Sequence, residues 1–382
     1  MPFINVDTAA SARELRAELS EAERIALDCE AAGFHRYSNR LCLLQVTTQA
    51  NTYIIDPMAV DSSEVLRESL ERPDLPIIMH GADFDLRLLR TDLDIRLQGL
   101  FDTQIAASLL GESGLGLAAL LESKFGIQLS KKFQRADWAD RPLTPGMLEY
   151  AANDTRHLLR LADELLGDLL KAGRTEWVSQ ECLELEKAAD PSSEITEPPD
   201  PILRIKGARD LSPRQVTALR EALDWRDEIA RSRDKAPFRV IGDPPLIEAV
   251  ARFPSRVEQL REIKGFPTSL ARSEGKSLLN RLRRVSEMSE EELRPYPKPV
   301  RRGPGRPDPE TEELADKLKA VRNRKADELG LARGTLLANA VVMAVATTAP
   351  ATRSELSSVP GMRPWKVDAL GDELLRTIQT GT

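Results

Sequence analysis

Asp28 and Glu30 flank Cys29 at the end of the apolar segment RIALDCE, residues 24–30. In an extended strand alternate side chains share a face, so both carboxylates project to one side and Cys29 to the other. On a solvated strand end such a pair is ordinary, but on a buried strand the two anions repel unless cations neutralise them. Further along the chain stand carboxylates that could complete such a site. Asp85 opens a helical pattern in HGADFD, residues 80–85. A carboxylate in a first helical turn is often only a dipole partner, and Asp83 competes for the role. Apolar Phe84, Leu88 and Leu89 nevertheless leave Asp85 on the flank facing the sheet. Asp154 lies four residues after Tyr150, on one helical face with it. Neither Arg156 nor Arg160 is three or four residues from Asp154, so no local ion pair accounts for it. Four carboxylates without thiol or imidazole suit Mg²⁺ or Mn²⁺. Two such ions about 4 Å apart can activate a water and stabilise a leaving oxygen in phosphodiester cleavage.

These groups need a framework to converge. The pattern predicts a helix over 11–19, with Thr8 or Ser11 as its cap, and three strands over 25–30, 41–47 and 52–55. GFHRYSNR makes a hairpin-type turn between the first two and QAN a tight one before the third, so all three should run antiparallel. Helices over 61–70, 82–91, 103–110 and 115–125 then alternate with short strands over 76–80 and 99–101. That order indicates a mixed α/β sheet. One long helix is expected over 144–170, with Thr144 as cap, Pro145 at its first position and Gly173 past its end. Another helix over 174–189 and the Pro-rich linker PSSEITEPPDP follow.

A chain of 382 residues exceeds one ordinary core and implies two or three domains. No apolar run reaches the roughly 18–20 residues of a membrane span. MPFINVDTAA lacks a signal-peptide pattern, and Cys29, Cys42 and Cys182 form no CxxC pair. A cytoplasmic protein without membrane contacts is therefore expected. His35, His80 and His157 show no metal-ligand spacing. The net charge of −7 is uneven: residues 1–195 carry 20 Lys/Arg against 33 Asp/Glu, and the rest carry 34 against 28. An acidic half joined to a basic half fits a protein that holds cations in one and a polyanion in the other. The second half reads as helical and repeats weakly at an offset of 96 residues. Arg226 answers Arg322, Pro254 answers Pro350, and Ile263-Lys264-Gly265-Phe266 answers Val359-Pro360-Gly361-Met362. Between the copies, PYPKPVRRGPGRPDP reads as a basic, semi-extended linker.

Asp28-Cys29-Glu30, His80 to Leu86, and Tyr150 to Asp154 resemble, in that order, the three exonuclease motifs of the DEDD superfamily. Glu149 stands where the histidine subclass would need His, so the tyrosine subclass is favoured. Residues 117–121, Lys132, Gln134, Asp137-Trp138 and Arg141-Pro142-Leu143 look like the ribonuclease D family. The basic repeats resemble its HRDC (helicase and ribonuclease D C-terminal) domains. The resemblance implies a ribonuclease H-like mixed sheet flanked by helices over 1–192. Two all-α bundles would follow over 208–292 and 309–382, joined by a linker at 293–308. It further implies a 3′→5′ exoribonuclease that releases 5′-mononucleotides, with tRNA precursors among its substrates. Asp28 would contact both of two divalent ions, Glu30 and Asp154 the water-activating one, and Asp85 the other. Tyr150 would orient the attacking water, since a phenol with a pKa near 10 is a poor base at neutral pH.

Phe34, His35, Arg36 and Tyr37, in the turn after the paired carboxylates, could stack on a terminal base or meet phosphate. His80, Lys132, Gln134, Trp138 and Arg141 are further candidates for substrate contact. In the helical repeats Arg231, Arg233, Lys235 and Arg239 could bind RNA backbone, whereas Trp225 and Trp365 read as core. The expected partner is an RNA 3′ end, and a monomer is expected. A DNA 3′→5′ exonuclease would use the same motifs, and a non-catalytic nucleic-acid scaffold would not need all five catalytic positions filled.

Overall fold

The computed structural model describes residues 3–190, 200–297 and 308–381. The expected linkers at 191–201 and 293–308 lie largely outside the described residues, the Arg-Gly-Pro run entirely so. The first part opens with strand β1 (Phe3–Val6), helix α1 (Ala9–Glu21) and strands β2 (Ile25–Ala31), β3 (Leu41–Thr47) and β4 (Thr52–Ile55). Helix α2 (Ser62–Leu70), β5 (Ile77–Met79), α3 (Asp83–Asp92), β6 (Leu100–Asp102) and α4 (Thr103–Leu110) follow. Helices α5 (Leu117–Phe125), α6 (Pro145–Arg156), α7 (Leu158–Ala172) and α8 (Thr175–Ala189) complete it.

The sheet order is β1-β4-β3-β2-β5-β6. Strands β2, β3 and β4 pair antiparallel, as the tight turns between them require, and β5 and β6 extend the sheet in parallel with β2. β1, which the sequence pattern does not reveal, runs parallel to β4. Four residues are too few to show a period. Helix α6 covers one face of β2–β4, packing its Met147, Ala151 and Ala152 in one cluster with Leu43 and Ile54. The other face packs into the main core with α1, α3, α4 and α7.

The single helix expected over 144–170 is two helices that meet at His157 (φ −108°, ψ −3°). Their burial requirements differ: α6 lies on β3 and β4, whereas α7 packs on α4. Thr47 Oγ1 donates to Thr155 Oγ1 (2.8 Å) and pins the end of α6 to the sheet just beside Asp154.

Two helical modules follow. The first comprises α9 (Pro213–Ser232), α10 (Pro237–Val240), α11 (Asp243–Arg252), α12 (Val257–Arg261) and α13 (Thr268–Glu287). The second comprises α14 (Pro309–Leu329), α15 (Arg333–Leu336), α16 (Asn339–Thr348), α17 (Arg353–Ser357) and α18 (Pro364–Gly381). Each helix of the first starts 96 residues before its counterpart in the second, as Pro213 and Pro309 do. The repeat extends to bonding. Arg226 donates to Ile241 O (3.2 Å) and Asp243 (2.6 Å), and Arg322 donates to Leu337 O (3.0 Å) and Asn339 (2.6 Å).

The modules attach differently. The second shares a continuous apolar core with the sheet domain. Trp365 stacks on Trp177 of α8 with centroids 4.5 Å apart, and its indole N–H donates to Glu181 (2.8 Å). Trp365 is thus buried, and Trp225 is buried in the first module. Gly111 and Gly330 meet backbone to backbone: a Cβ on Gly111 would lie 2.0 Å from the Gly330 carbonyl oxygen. The first module keeps a separate core, and Tyr37 of the β2–β3 turn packs against it.

Candidate active site

Strand β2 delivers Asp28 and Glu30 to the face covered by α6, and α6 brings Asp154 down to meet them. Ligand-capable oxygens of Asp28, Glu30 and Asp154 all lie within 4.8 Å of one another. All three side chains are half-buried. Burial, followed by backbone hydrogen bonding that partly offsets it, leaves the Asp28 carboxyl pushed up to about 7. Burial and then the Asp28 charge push Asp154 up to about 8. Glu30 is raised well above its ordinary range by burial and by Asp28, Asp154 and Asp85. Charges so placed are costly until a cation shares them. An all-oxygen donor set of this kind fits a hard divalent ion such as Mg²⁺ or Mn²⁺.

Asp85 stands outside this trio but within its field. It is 8% exposed, and burial, then Asp28 and Asp102, raise its carboxyl well above the usual range. Asp83, the competing candidate, is exposed and forms a two-pronged ion pair with Arg87 (2.5 and 2.6 Å). The β5–α3 turn that presents Asp85 is held by Asp102, which sequence reasoning passed over. Its buried carboxylate accepts from Gly81 N (3.0 Å) and Ala82 N (2.8 Å) and also caps α4 through Gln104 N (2.7 Å). An Asp after a short apolar strand and before Thr-Gln is a legible helix cap. Its second duty, to a turn twenty residues earlier, leaves no local signal. Gln45, also passed over, is the cross-strand partner of Asp28. It is fully buried, and its amide makes no hydrogen bond to the described protein.

Tyr150 lies one turn before Asp154 on α6. Its ring sits between Phe133 (centroids 6.2 Å, edge-on) and Trp138 (6.0 Å). Burial first, then Asp154, Glu30 and Asp28, push its hydroxyl above the ordinary phenol range, so it stays protonated. A pocket of about 180 Å³ opens beside it, lined by Phe133, Glu149, Asn153 and Asp154 among others.

Several expected substrate contacts are engaged elsewhere. Trp138 is 2% exposed and backs Tyr150, leaving no open face for a base. Arg141 pairs with Asp56 (2.7 Å) and donates to the Cys42 and Trp138 carbonyls, so it braces the loop before α6. His80 directs Nδ1 to Thr103 Oγ1 (2.9 Å), and burial holds its imidazole below the usual range. Arg36 pairs with Asp137 (3.0 Å) and Asp234 (3.6 Å). The Tyr37 hydroxyl donates to Asp227 (2.9 Å), and its backbone N–H donates to Asp234 (3.2 Å). Both residues thus bind the first module. Their partners lie 100 to 200 residues away, which no spacing rule anticipates. Lys132 and Gln134 are exposed, Phe34 is 40% exposed, and His35 Nε2 contacts the Arg135 carbonyl oxygen (2.8 Å).

Comparison with known proteins matches residues 3–170 to the 3′-5′ exonuclease family, and residues 215–282 and 311–378 to the HRDC domain. The chain carries a DEDD-type 3′-5′ exonuclease domain followed by two HRDC domains. It is 33% identical to ribonuclease D of Xanthomonas oryzae pv. oryzae, over 63% of this chain and 65% of that protein. It is 30% identical to the exosome complex exonuclease RRP6 of Saccharomyces cerevisiae, over 76% of this chain and 42% of that one. The chain thus spans under two thirds of both relatives. The exonuclease and HRDC domains together adopt the fold of Escherichia coli RNase D, an exoribonuclease involved in structured RNA processing. That likeness has a TM-score of 0.69 at 24% identity, covering 100% of this chain and 99% of the other. Among the described residues no helix of the exonuclease or HRDC domains is long and apolar enough to cross a membrane.

Proposed function

We propose that this protein is a metal-dependent 3′→5′ exoribonuclease that shortens RNA 3′ ends, tRNA precursors among them, and releases 5′-mononucleotides. The observation that carries the reading is the convergence of Asp28, Glu30 and Asp154 within 4.8 Å in a 3′-5′ exonuclease domain. Its likeness to proteins named ribonuclease D favours RNA over DNA.

In this mechanism Asp28, Glu30, Asp85 and Asp154 would hold two divalent ions, Mg²⁺ or Mn²⁺, which when bound would lower the pKa of a water and stabilise negative charge on the departing oxygen. Tyr150 keeps its proton and acts as a hydrogen-bonding post that orients the attacking water. Phe133 and Trp138 fix the aim of that ring. The pocket beside Tyr150 and Asp154 receives the terminal nucleotide. The protein acts as a monomer in the cytoplasm, where its three buried, unpaired cysteines stay reduced.

A 5′-labelled RNA with a single-stranded 3′ tail tests this. With Mg²⁺ or Mn²⁺ the label should shorten one nucleotide at a time while mononucleotides accumulate, and Asp28→Asn should abolish both. Intact RNA, or faster loss of the matched DNA, would overturn the assignment.

A further inference from the structure

Phe34 and Phe238 come from different domains, yet their rings meet with centroids 5.5 Å apart and both remain open to solvent, at 40% and 52%. Large apolar side chains of this kind are normally covered, and a pair meeting across a domain junction is not a scattered surface residue. Cations surround them. The Arg239 guanidinium lies 4.7 Å from the Phe34 ring and 5.9 Å from the Phe238 ring, and Arg135 lies 5.6 Å from Phe34. Arg239 is aimed by its bond to the Phe34 carbonyl oxygen (2.7 Å), and the Ala236 N–H donates to the His35 carbonyl oxygen (3.0 Å). Arg135, Arg239, Lys132 and Lys235 are exposed, and none has an ion-pair partner among the described residues. The nearby Arg36 and Arg231, by contrast, are paired with Asp137, Asp234 and Asp227.

The second HRDC domain is a control supplied by the fold. At the positions equivalent to Phe238 and Arg239, 96 residues on, it carries Gly334 and Thr335 within the corresponding short helix. An HRDC domain therefore folds without an aromatic or a cation there. The pair in the first domain serves something outside the module.

We infer that Phe34, Phe238, Arg135 and Arg239 form a stacking clamp for single-stranded RNA a few nucleotides upstream of the 3′ end. Flat aromatic faces flanked by unpaired guanidinium groups fit bases and phosphates in alternation, a chemistry that tolerates any sequence. Phe34 lies four positions after Glu30, so their Cα atoms are at most about 14 Å apart. A strand threaded to the carboxylates would therefore pass the clamp only a few nucleotides back. The clamp thus sets the tail length below which the RNA is held weakly and let go. This rests on the exoribonuclease reading.

The test is steady-state hydrolysis by the full chain of single-stranded RNAs from about two to about twelve nucleotides long. For the parent, KM should fall in a step once the RNA reaches the clamp. Phe238→Ala should raise KM for the longer RNAs by about 5- to 150-fold, the worth of one stacked base. It should leave kcat and dinucleotide cleavage unchanged. Phe238→Trp should match the parent, and Phe238→Leu, which keeps the apolar contact but loses the flat face, should behave like Phe238→Ala. If Phe238→Leu matches the parent at every length, the pair only joins the domains and the clamp is wrong. A KM independent of length in the parent overturns it as well. If the parent leaves every RNA intact, the exonuclease reading falls and takes the clamp with it.

Discussion

Asp83 and Asp85 stand two residues apart in the first turn of α3, yet Asp83 reaches outward to Arg87 while Asp85 is buried in the field of Asp28. One turn of helix thus separates a solvated ion pair from a buried carboxylate that lies in the field of other acids. Asp83→Asn should change kcat less than about 2-fold, since an exposed i,i+4 pair contributes well under 1 kcal/mol. Asp85→Asn should lower kcat by about 100-fold or more, the scale seen when groups that support a metal are removed. Single-turnover RNA cleavage by the two variants checks this, and equal losses would refute it.

Metal and protons should compete openly. Asp28 and Asp154 are pushed up to about 7 and about 8 without metal, and Glu30 and Asp85 are raised as well. Raised folded-state values mean that these four carboxyls bind more protons in the fold than in the unfolded chain. The stability that they contribute is fully present below about pH 4 and is lost as pH rises through about 7 to 8. In chelator, thermal unfolding should shift to lower temperature across that window. Saturating Mn²⁺ should reverse the shift, most strongly at pH 8 and above, with proton release on binding measurable by calorimetry in buffers of different ionisation enthalpy.

Tyr150→Phe should retain the fold, because Phe133 and Trp138 pack against the ring and not the hydroxyl. Loss of the orienting group should cost about 100-fold in kcat. Since burial and three carboxylates keep the phenol protonated, the pH–rate profile should keep its shape while its height falls. Disappearance of a limb in the variant would make Tyr150 a titrating base instead.

Backbone geometry gives another contrast. Gly111 and Gly126 both have positive φ, 81° and 67°, but only Gly111 is pressed against another module. Gly126→Ala should cost about 1 kcal/mol for its φ alone. Gly111→Ala adds a clash with Gly330 and should cost about 1–3 kcal/mol more. Calorimetry of the full chain should show the extra loss, with earlier proteolysis of the second HRDC domain.

Much of this architecture is legible in the sequence. The short apolar runs over residues 25–30 and 41–47, bounded by turn residues, show the strands, and the Asp-x-Glu spacing shows a shared face. The 96-residue offset shows the paired modules, because one copy constrains the other. What escapes is whatever depends on meetings between distant segments. His157 carries no helix-breaking residue, and the break there reflects two different packing partners. Asp102 holds a turn across two strands. Arg36 and Tyr37 look like substrate ligands until Asp227 and Asp234 arrive from the first HRDC domain.

The two HRDC domains also differ in what their removal would do to the handling of the protein. Detaching the first breaks the Arg36–Asp234 ion pair and the Tyr37–Asp227 hydrogen bond, which water replaces readily, and parts the Phe34 and Tyr37 rings from the module. Detaching the second strips a tryptophan from Trp177 and lays bare part of a continuous apolar core. A shortened exonuclease fragment ending before residue 308 would therefore tend to precipitate, and its poor solubility would easily be mistaken for a catalytic defect.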